Sequence, residues 1–334
     1  LKHKGFLLNA LLGCKVKNKE HLKLTLYVFI VLCILMVNIS TKIANIYFSN
    51  PVILASGILD ETGESMLRAI KNGAGGVVTK SIGLNRRDGY DTPNIVEMDH
   101  GLLNAMGLPN PGIDNFRNEI EVAKSGNAPV IGSIFGTLEE FPQVAKKMES
   151  YGVDALELNV SCPHAKKYGS EIGTDPKLVE AVVREVKKTV NIPVFVKLTP
   201  NVKDIVEIAK SADKADGLVL INTVKGISID IYARKPILSY KIGGYSGPGI
   251  KPVGVRAVYD VASVMKIPII GVGGIMNGKD AIEYLLAGAC AVQIGSALYY
   301  YDYDVFNMIK NDIMEYLKSE KYDKIEDIIG LALR

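Results

Sequence analysis

Eight short apolar runs recur along this chain with helical stretches between them, and that alternation restricts the fold more than any other feature. The runs are Val52–Ala55, Gly76–Thr79, Val130–Ile134, Ala155–Asn159, Val194–Leu198, Gly217–Ile221, Ile267–Val272 and Ala291–Ile294. Each is rich in Val, Ile and Leu without a clean period of two, as strands are when both faces are buried in a parallel sheet. Short turns such as Gly152-Val153-Asp154, Asn191-Ile192-Pro193 and Lys266-Ile267-Pro268 precede several of them and mark the passage from helix to strand. Helical periodicity is clearest over Glu139–Ser150, Pro176–Thr189, Val202–Ser211, Val253–Val264 and Gly278–Ala287. Strands alternating with helices in this number predict a (β/α)8 TIM barrel. A doubly wound open sheet is the alternative, and it would need unusually many strands in one sheet. Two long segments, Ser81–Ala128 and Thr223–Lys251, read as inserts after strands 2 and 6, at the catalytic end of such a barrel.

Composition narrows the function. The chain has 334 residues, 48% apolar and 22% charged, with a formal net charge of +3. That balance gives no electrostatic footprint for nucleic acid, and none is expected as a partner. The four cysteines, Cys14, Cys33, Cys162 and Cys290, form no Cys-x-x-Cys pair. No metal site or disulfide framework is therefore expected, and a reducing, cytoplasmic setting fits. Leu24–Val37 is almost wholly apolar but short for a membrane span. The first methionine is Met36, so residues 1–35 are expected to be a translated upstream extension, with a single barrel domain over 36–334 and no membrane partner.

The candidate chemistry collects at strand ends. Glu157-Leu158-Asn159-Val160-Ser161-Cys162-Pro163-His164 reads as a buried strand delivering an asparagine and then a cysteine in a tight turn. A cysteine there can serve as base or nucleophile, although a lone one is more often a small buried hydrophobe. Glycine-rich turns follow the last two strands, at Gly273-Gly274 and Gly295-Ser296. In many barrels these loops hold a phosphate with backbone amides. Neither is a dinucleotide fingerprint. Lys80 and Lys197 stand at two other strand ends. Lys197 follows a nearly all-apolar strand, and its burial calls for an anionic partner, of which a reduced flavin is one. Asn104, Asn159 and Asn222 recur at the same end. An amide both donates and accepts, so three of them suit the edge of a cyclic amide.

With these motifs in place the chain resembles the catalytic subunit of class 1 dihydroorotate dehydrogenases from about Ile39 to Tyr303. The matching motifs are Ala55-Ser56-Gly57, Thr79-Lys80-Ser81, Asn104 to Leu108, Asn159 to Pro163, Val196 to Pro200, Ile221-Asn222-Thr223, Ser246 to Pro252, Gly273-Gly274 and Gly295-Ser296. The resemblance implies one FMN per chain. It assigns Ser56, Lys80, Ser81, Asn159, Lys197, Ile221, Gly247, Gly273, Gly274, Gly295 and Ser296 to the cofactor. Lys80, Asn104, Met106, Gly107, Leu108, Asn159, Asn222 and Thr223 would face dihydroorotate or its product orotate. Cys162 would be the catalytic base and Lys197 the residue opposite the reduced flavin's negative charge. The stretch Gly247 to Pro252 looks like the B type, which implies electrons passed to NAD through a partner subunit carrying FAD and a [2Fe-2S] cluster, in a heterotetramer built on a dimer of catalytic chains.

Two departures from the family pattern stand out. His164 occupies a position where many members have Asn, and dihydropyrimidine dehydrogenases share the Cys-Pro-His order. Ser133 stands where an Asn that contacts flavin is usual, so it would have to supply that hydrogen bond. The implied reaction is oxidation of dihydroorotate in pyrimidine biosynthesis, with a proton leaving C5 to Cys162 and a hydride leaving C6 for the flavin. The turn between Pro163 and Pro176, with Gly169 and Gly173, is expected to close as a lid. Three other readings stay open: a dihydropyrimidine dehydrogenase acting on uracil-like rings, a flavin-free lyase or aldolase using Lys197 as a Schiff-base amine, and a non-catalytic barrel that binds a phosphate ligand.

Overall fold

A computed structural model describes residues 37–160 and 172–334 of the chain. Residues 1–36, with nearly all of the apolar Leu24–Val37 segment, lie outside the described residues. So do 161–171, which include Cys162, His164 and most of the expected lid. The barrel unit runs from Ile39 to Arg334.

Eight parallel strands close on themselves: β1 (Val52–Leu54), β2 (Gly76–Val78), β3 (Val130–Ile134), β4 (Ala155–Asn159), β5 (Val194–Leu198), β6 (Gly217–Leu220), β7 (Ile269–Val272) and β8 (Ala291–Ile294). They pair in sequence order, and β8 returns to β1 through Gln293 opposite Ile53. The helices α1 (Gly63–Lys71), α2 (Arg117–Lys124), α3 (Glu140–Ser150), α4 (Pro176–Thr189), α5 (Ile205–Ser211), α6 (Lys251–Ala262), α7 (Gly278–Leu286), α8 (Ala297–Tyr301) and α9 (Asp304–Ser319) lie between and after the strands. The fold is a (β/α)8 TIM barrel.

Local chemistry explains most boundaries. Helix α4 starts where the Asp175 carboxylate accepts the Lys177 N–H at 2.8 Å and a proline opens the first turn. Its buried residues Val179, Val182, Val183 and Val186 follow the i, i+3, i+4, i+7 stripe. Helix α5 begins three residues later than the periodicity predicts, because Asp204 caps it by accepting the Val206 N–H at 2.8 Å. Helix α6 begins earlier than predicted, at Lys251, since Pro252 suits a first turn.

Side-chain alternation within the strands sets the level of the site. One buried cluster takes a residue from every barrel strand: Ile53, Val78, Ile131, Ala155, Phe195, Val219, Ile270 and Ala291. Ile43 and Phe48, from the hairpin Thr41–Ile43 with Ile46–Phe48, join the same cluster and close that end. Successive inward positions are two residues apart. The next inward step therefore brings Lys80, Ser133, Glu157, Lys197, Ile221 and Gln293, and the interior turns from apolar to polar.

The segments after β2 and β6 build a second sheet together. Ile95–Met98 and Gly101–Asn104 come from the first, and Val224–Ile227 and Ile242–Ser246 from the second. They form one four-stranded antiparallel sheet in which Gly244 pairs with Asn104 and Ser246 with Leu102. A small hydrophobic cluster of Leu103, Ala105 and Leu238 holds the two segments together.

Candidate active site

A cavity of about 320 Å³ opens at the C-terminal ends of the barrel strands, between them and the second sheet. Its lining includes every residue expected for cofactor and substrate. Ser56 comes from the β1 end, Lys80 and Ser81 from β2, Asn159 from β4, Lys197 from β5, and Ile221, Asn222 and Thr223 from β6. Gly273 and Gly274 follow β7, and Gly295 and Ser296 follow β8. The second sheet and its connections add Asn104, Met106, Gly107, Leu108 and Gly247. The cysteine expected as base, Cys162, is outside the described residues.

The wall near β2 to β4 is a chain of short hydrogen bonds. The Ser81 hydroxyl lies 3.3 Å from that of Ser56 and 2.8 Å from that of Ser133, and it accepts the Asn159 amide N–H at 3.0 Å. The Asn222 amide donates to Asn159 Oδ1 at 3.4 Å. These bonds fix which way the two amides present their polar ends. Ser133 departs from expectation: it is fully buried, does not line the cavity, and reaches it only through Ser81. Serine is too short at that position to replace the asparagine usual there.

Lys80 is 8% exposed, and its ammonium lies 2.8 Å from Glu61 Oε1. Beside it Asp60 is wholly buried, accepting the Gly57 N–H at 2.6 Å, while Oδ1 has no hydrogen-bond partner. Burial pushes the Asp60 carboxyl up to about 6, against the opposing pull of the Lys80 charge.

Lys197 needs an anion, and the chain itself supplies one. Glu157 Oε1 lies 3.3 Å from Lys197 Nζ, and Glu157 is fully buried. Gln293 accepts from Lys197 at 3.3 Å and donates to Glu157 Oε2 at 2.7 Å. Sequence reasoning missed Glu157 and Gln293. Their signal was the two-residue step inward from Ala155 and Ala291, the same step that leads from Phe195 to Lys197.

At the β7 and β8 ends the backbone approaches the cavity. Gly273 and Gly274 have φ of +126° and +71°, a region that favours glycine. A Cβ on Gly274 would stand 2.7 Å from the Gly247 carbonyl oxygen and 2.8 Å from the Lys251 nitrogen. Behind this turn the Tyr284 hydroxyl donates to the Gly273 carbonyl at 2.7 Å. Its ring occupies the space left by Gly254 and Gly271, where added Cβ atoms would fall 1.9 and 2.4 Å from it. Burial raises the Tyr284 phenol above its ordinary range, so it stays a donor. Such a cradle, with amide-bearing walls and a lysine at its floor, fits a phosphate-bearing flavin.

Among the described residues no helix is long and apolar enough to cross a membrane, and no three His, Cys, Asp or Glu side chains converge on a possible metal position.

The profile of the family described as dihydroorotate dehydrogenase matches residues 38–317. Among similar proteins, one from Pyrococcus horikoshii is 58% identical over 299 residues, covering 89% of this chain and 98% of its own. One from Thermoplasma volcanium is 55% identical over 300 residues, covering 90% and 100%. One from Methanocaldococcus jannaschii is 55% identical over 301 residues, covering 88% and 98%. All three are named dihydroorotate dehydrogenase B (NAD(+)), catalytic subunit. The chain belongs to the dihydroorotate dehydrogenase family: it is an oxidoreductase of pyrimidine biosynthesis that oxidises dihydroorotate to orotate.

Proposed function

We propose that the cavity holds FMN against the barrel strand ends and dihydroorotate between FMN and the second sheet. FMN, when bound, supplies the hydride acceptor. Gly273, Gly274, Gly295 and Ser296 would receive its phosphate, and Ser56, Ser81, Asn159, Ile221 and Gly247 its ring system. Lys197 would stand where negative charge gathers on reduction. On the substrate side Asn104, Asn159 and Asn222 would hold the cyclic amide, with Met106, Gly107, Leu108 and Thr223 closing around it. Lys80 would meet the carboxylate. Cys162, three residues past Asn159, would take the proton from C5. A free thiol ionises near pH 8.5, so a base of this kind works best as pH rises or where its turn favours the thiolate.

The observation that carries this reading is that residues from six barrel strands and from both segments of the second sheet converge on one cavity at the barrel mouth. That end of a (β/α)8 barrel is where catalytic residues collect. Holding the ring matters because a misplacement of ~1 Å can cost on the order of a hundredfold.

The names of the relatives extend the proposal to a partner. Each is a catalytic subunit linked to NAD(+), so a second subunit bearing FAD and a [2Fe-2S] cluster would carry electrons from this chain to NAD, in a heterotetramer around a homodimer of catalytic chains. The cysteine usage fits work in the cytoplasm.

The test is an anaerobic titration of the purified chain. A flavin band that dihydroorotate bleaches and dihydrouracil does not is the expected result. Bleaching by dihydrouracil alone would move the substrate to uracil-like rings and direct attention to His164. Colourless protein, or a band that neither compound bleaches, would overturn the assignment of cofactor or substrate respectively.

A further inference from the structure

The inference rests on the flavin reading above and concerns what lies behind Lys197. Three buried polar side chains meet across the barrel interior at one level: Glu157 on β4, Lys197 on β5 and Gln293 on β8. Strands β4 and β5 are neighbours, with Glu157 opposite Phe195. Strand β8 lies across the barrel from β4 in the closed order. Lys197 and Gln293 line the cavity, whereas Glu157 stands behind them and is wholly buried.

The contacts within this group are unequal. Gln293 Nε2 donates to Glu157 Oε2 at 2.7 Å, which ties down the carboxylate. Its Oε1 accepts from Lys197 at 3.3 Å. Glu157 Oε1 is 3.3 Å from the same ammonium but has no hydrogen-bond partner. Glu157 therefore holds Lys197 by charge and not by a directed bond. The ammonium's field is offset from behind, while its remaining N–H groups stay available to the cavity.

That arrangement has a consequence for any flavin above it. A lone ammonium in a poorly solvated cavity favours an adjacent anion strongly, because little water screens it. It would stabilise the reduced anionic flavin and make the electrons reluctant to leave. A carboxylate fixed behind it weakens that bias. We propose that Glu157 is a positioning residue, braced by Gln293, that holds the reduction potential of the bound flavin down by offsetting the charge of Lys197.

The experiment compares wild type, Glu157→Gln and Glu157→Asp, each purified with bound flavin. The midpoint potential is measured by equilibration with a reference dye, and sulfite, which adds to flavin N5 and is sensitive to positive charge near N1, serves as a substrate-free probe. Glu157→Gln should move the two-electron equilibrium at least tenfold toward reduced flavin, a rise of about 30 mV, and tighten sulfite binding. Glu157→Asp keeps the charge, and with it the offset needed for folding, but draws it back by one methylene; it should shift both readouts in the same direction by less. Unchanged or lowered potentials in both flavin-replete variants would overturn the inference and leave the flavin reading intact. Wild-type protein without flavin would instead overturn the reading on which the inference stands.

Discussion

Asp60 offers a stability test that does not depend on any ligand. Its carboxyl is completely buried and has one oxygen without a hydrogen-bond partner, and burial pushes it up from 3.8 to about 6. The folded protein therefore binds a proton here more readily than the unfolded chain does. The sign follows from linkage: below pH 4 both states carry the proton and Asp60 costs nothing. As pH rises from 4 through 6 the unfolded chain ionises first, and stability is lost. Above pH 6 the loss is complete. A difference of about 2 pKa units corresponds to about 3 kcal/mol at most. For a domain of this size that is on the order of 6 °C in melting temperature. Asp60→Asn removes the titration while leaving an amide oxygen to accept the Gly57 N–H. Its other end becomes an unpaired N–H2, which adds a cost of about 1–3 kcal/mol that does not vary with pH. The decisive quantity is thus the difference between wild type and variant as a function of pH. Urea unfolding should show the variant gaining about 3 kcal/mol on wild type between pH 4 and pH 7.5. A difference that stays constant across that range would refute the reasoning.

Other expectations follow from the same geometry. Cys162→Ser should retain flavin but slow its reduction by dihydroorotate ~10²-fold or more, the range ascribed to general bases; stopped-flow rates equal to wild type at neutral pH would remove Cys162 from that role. Lys197→Met leaves the Glu157 carboxylate buried without its counter-charge and should cost about 3–5 kcal/mol of stability. Part of that loss should return in the Lys197→Met/Glu157→Gln double variant, and strictly additive losses in denaturant unfolding would contradict the pairing. Tyr284→Phe deletes the hydrogen bond to the Gly273 carbonyl, worth about 0.5–1.5 kcal/mol. FMN affinity should fall by roughly two- to tenfold while riboflavin, which lacks the phosphate, binds the apoprotein as before; equal losses for both flavins would take Tyr284 away from the phosphate turn.

The barrel strands were legible because burial on both faces writes them as Val/Ile/Leu runs, independent of what they pair with. The second sheet was not. Gly101–Asn104 pairs with Ile242–Ser246, and Asn104 and Gly244 are 140 positions apart in the chain. Short strands with such distant partners carry no local period that would reveal them. The helix starts at Ile205 and Lys251 depended on an aspartate cap and a proline rather than on periodicity. At the site, the need for an anion near Lys197 was readable from its apolar strand, but the identity of that anion was not. Glu157 becomes its partner only when β4 and β5 lie side by side in register. Ser133 shows the reverse limit, since residue type suggested a contact that its position behind Ser81 does not give.

The two cavity lysines differ in the kind of partner they have, and the difference separates their tasks in the proposed reaction. Glu61, the partner of Lys80, has a side chain 63% exposed, whereas Glu157, the partner of Lys197, is wholly buried. An ion pair with one solvated partner contributes little net stability, so an incoming carboxylate can take the place of Glu61 at small cost. A pair sealed in the interior cannot exchange in this way, because separating it strands a charge. Lys80 is thus suited to an anion that arrives and leaves with each turnover. Lys197 is suited to negative charge that appears and disappears in place, on a group that stays bound, with its field set beforehand by a carboxylate that never moves. Charge that comes with the substrate and charge created by the chemistry are met at two separate points of one cavity, each by a lysine whose counter-ion is as mobile as the charge it must serve.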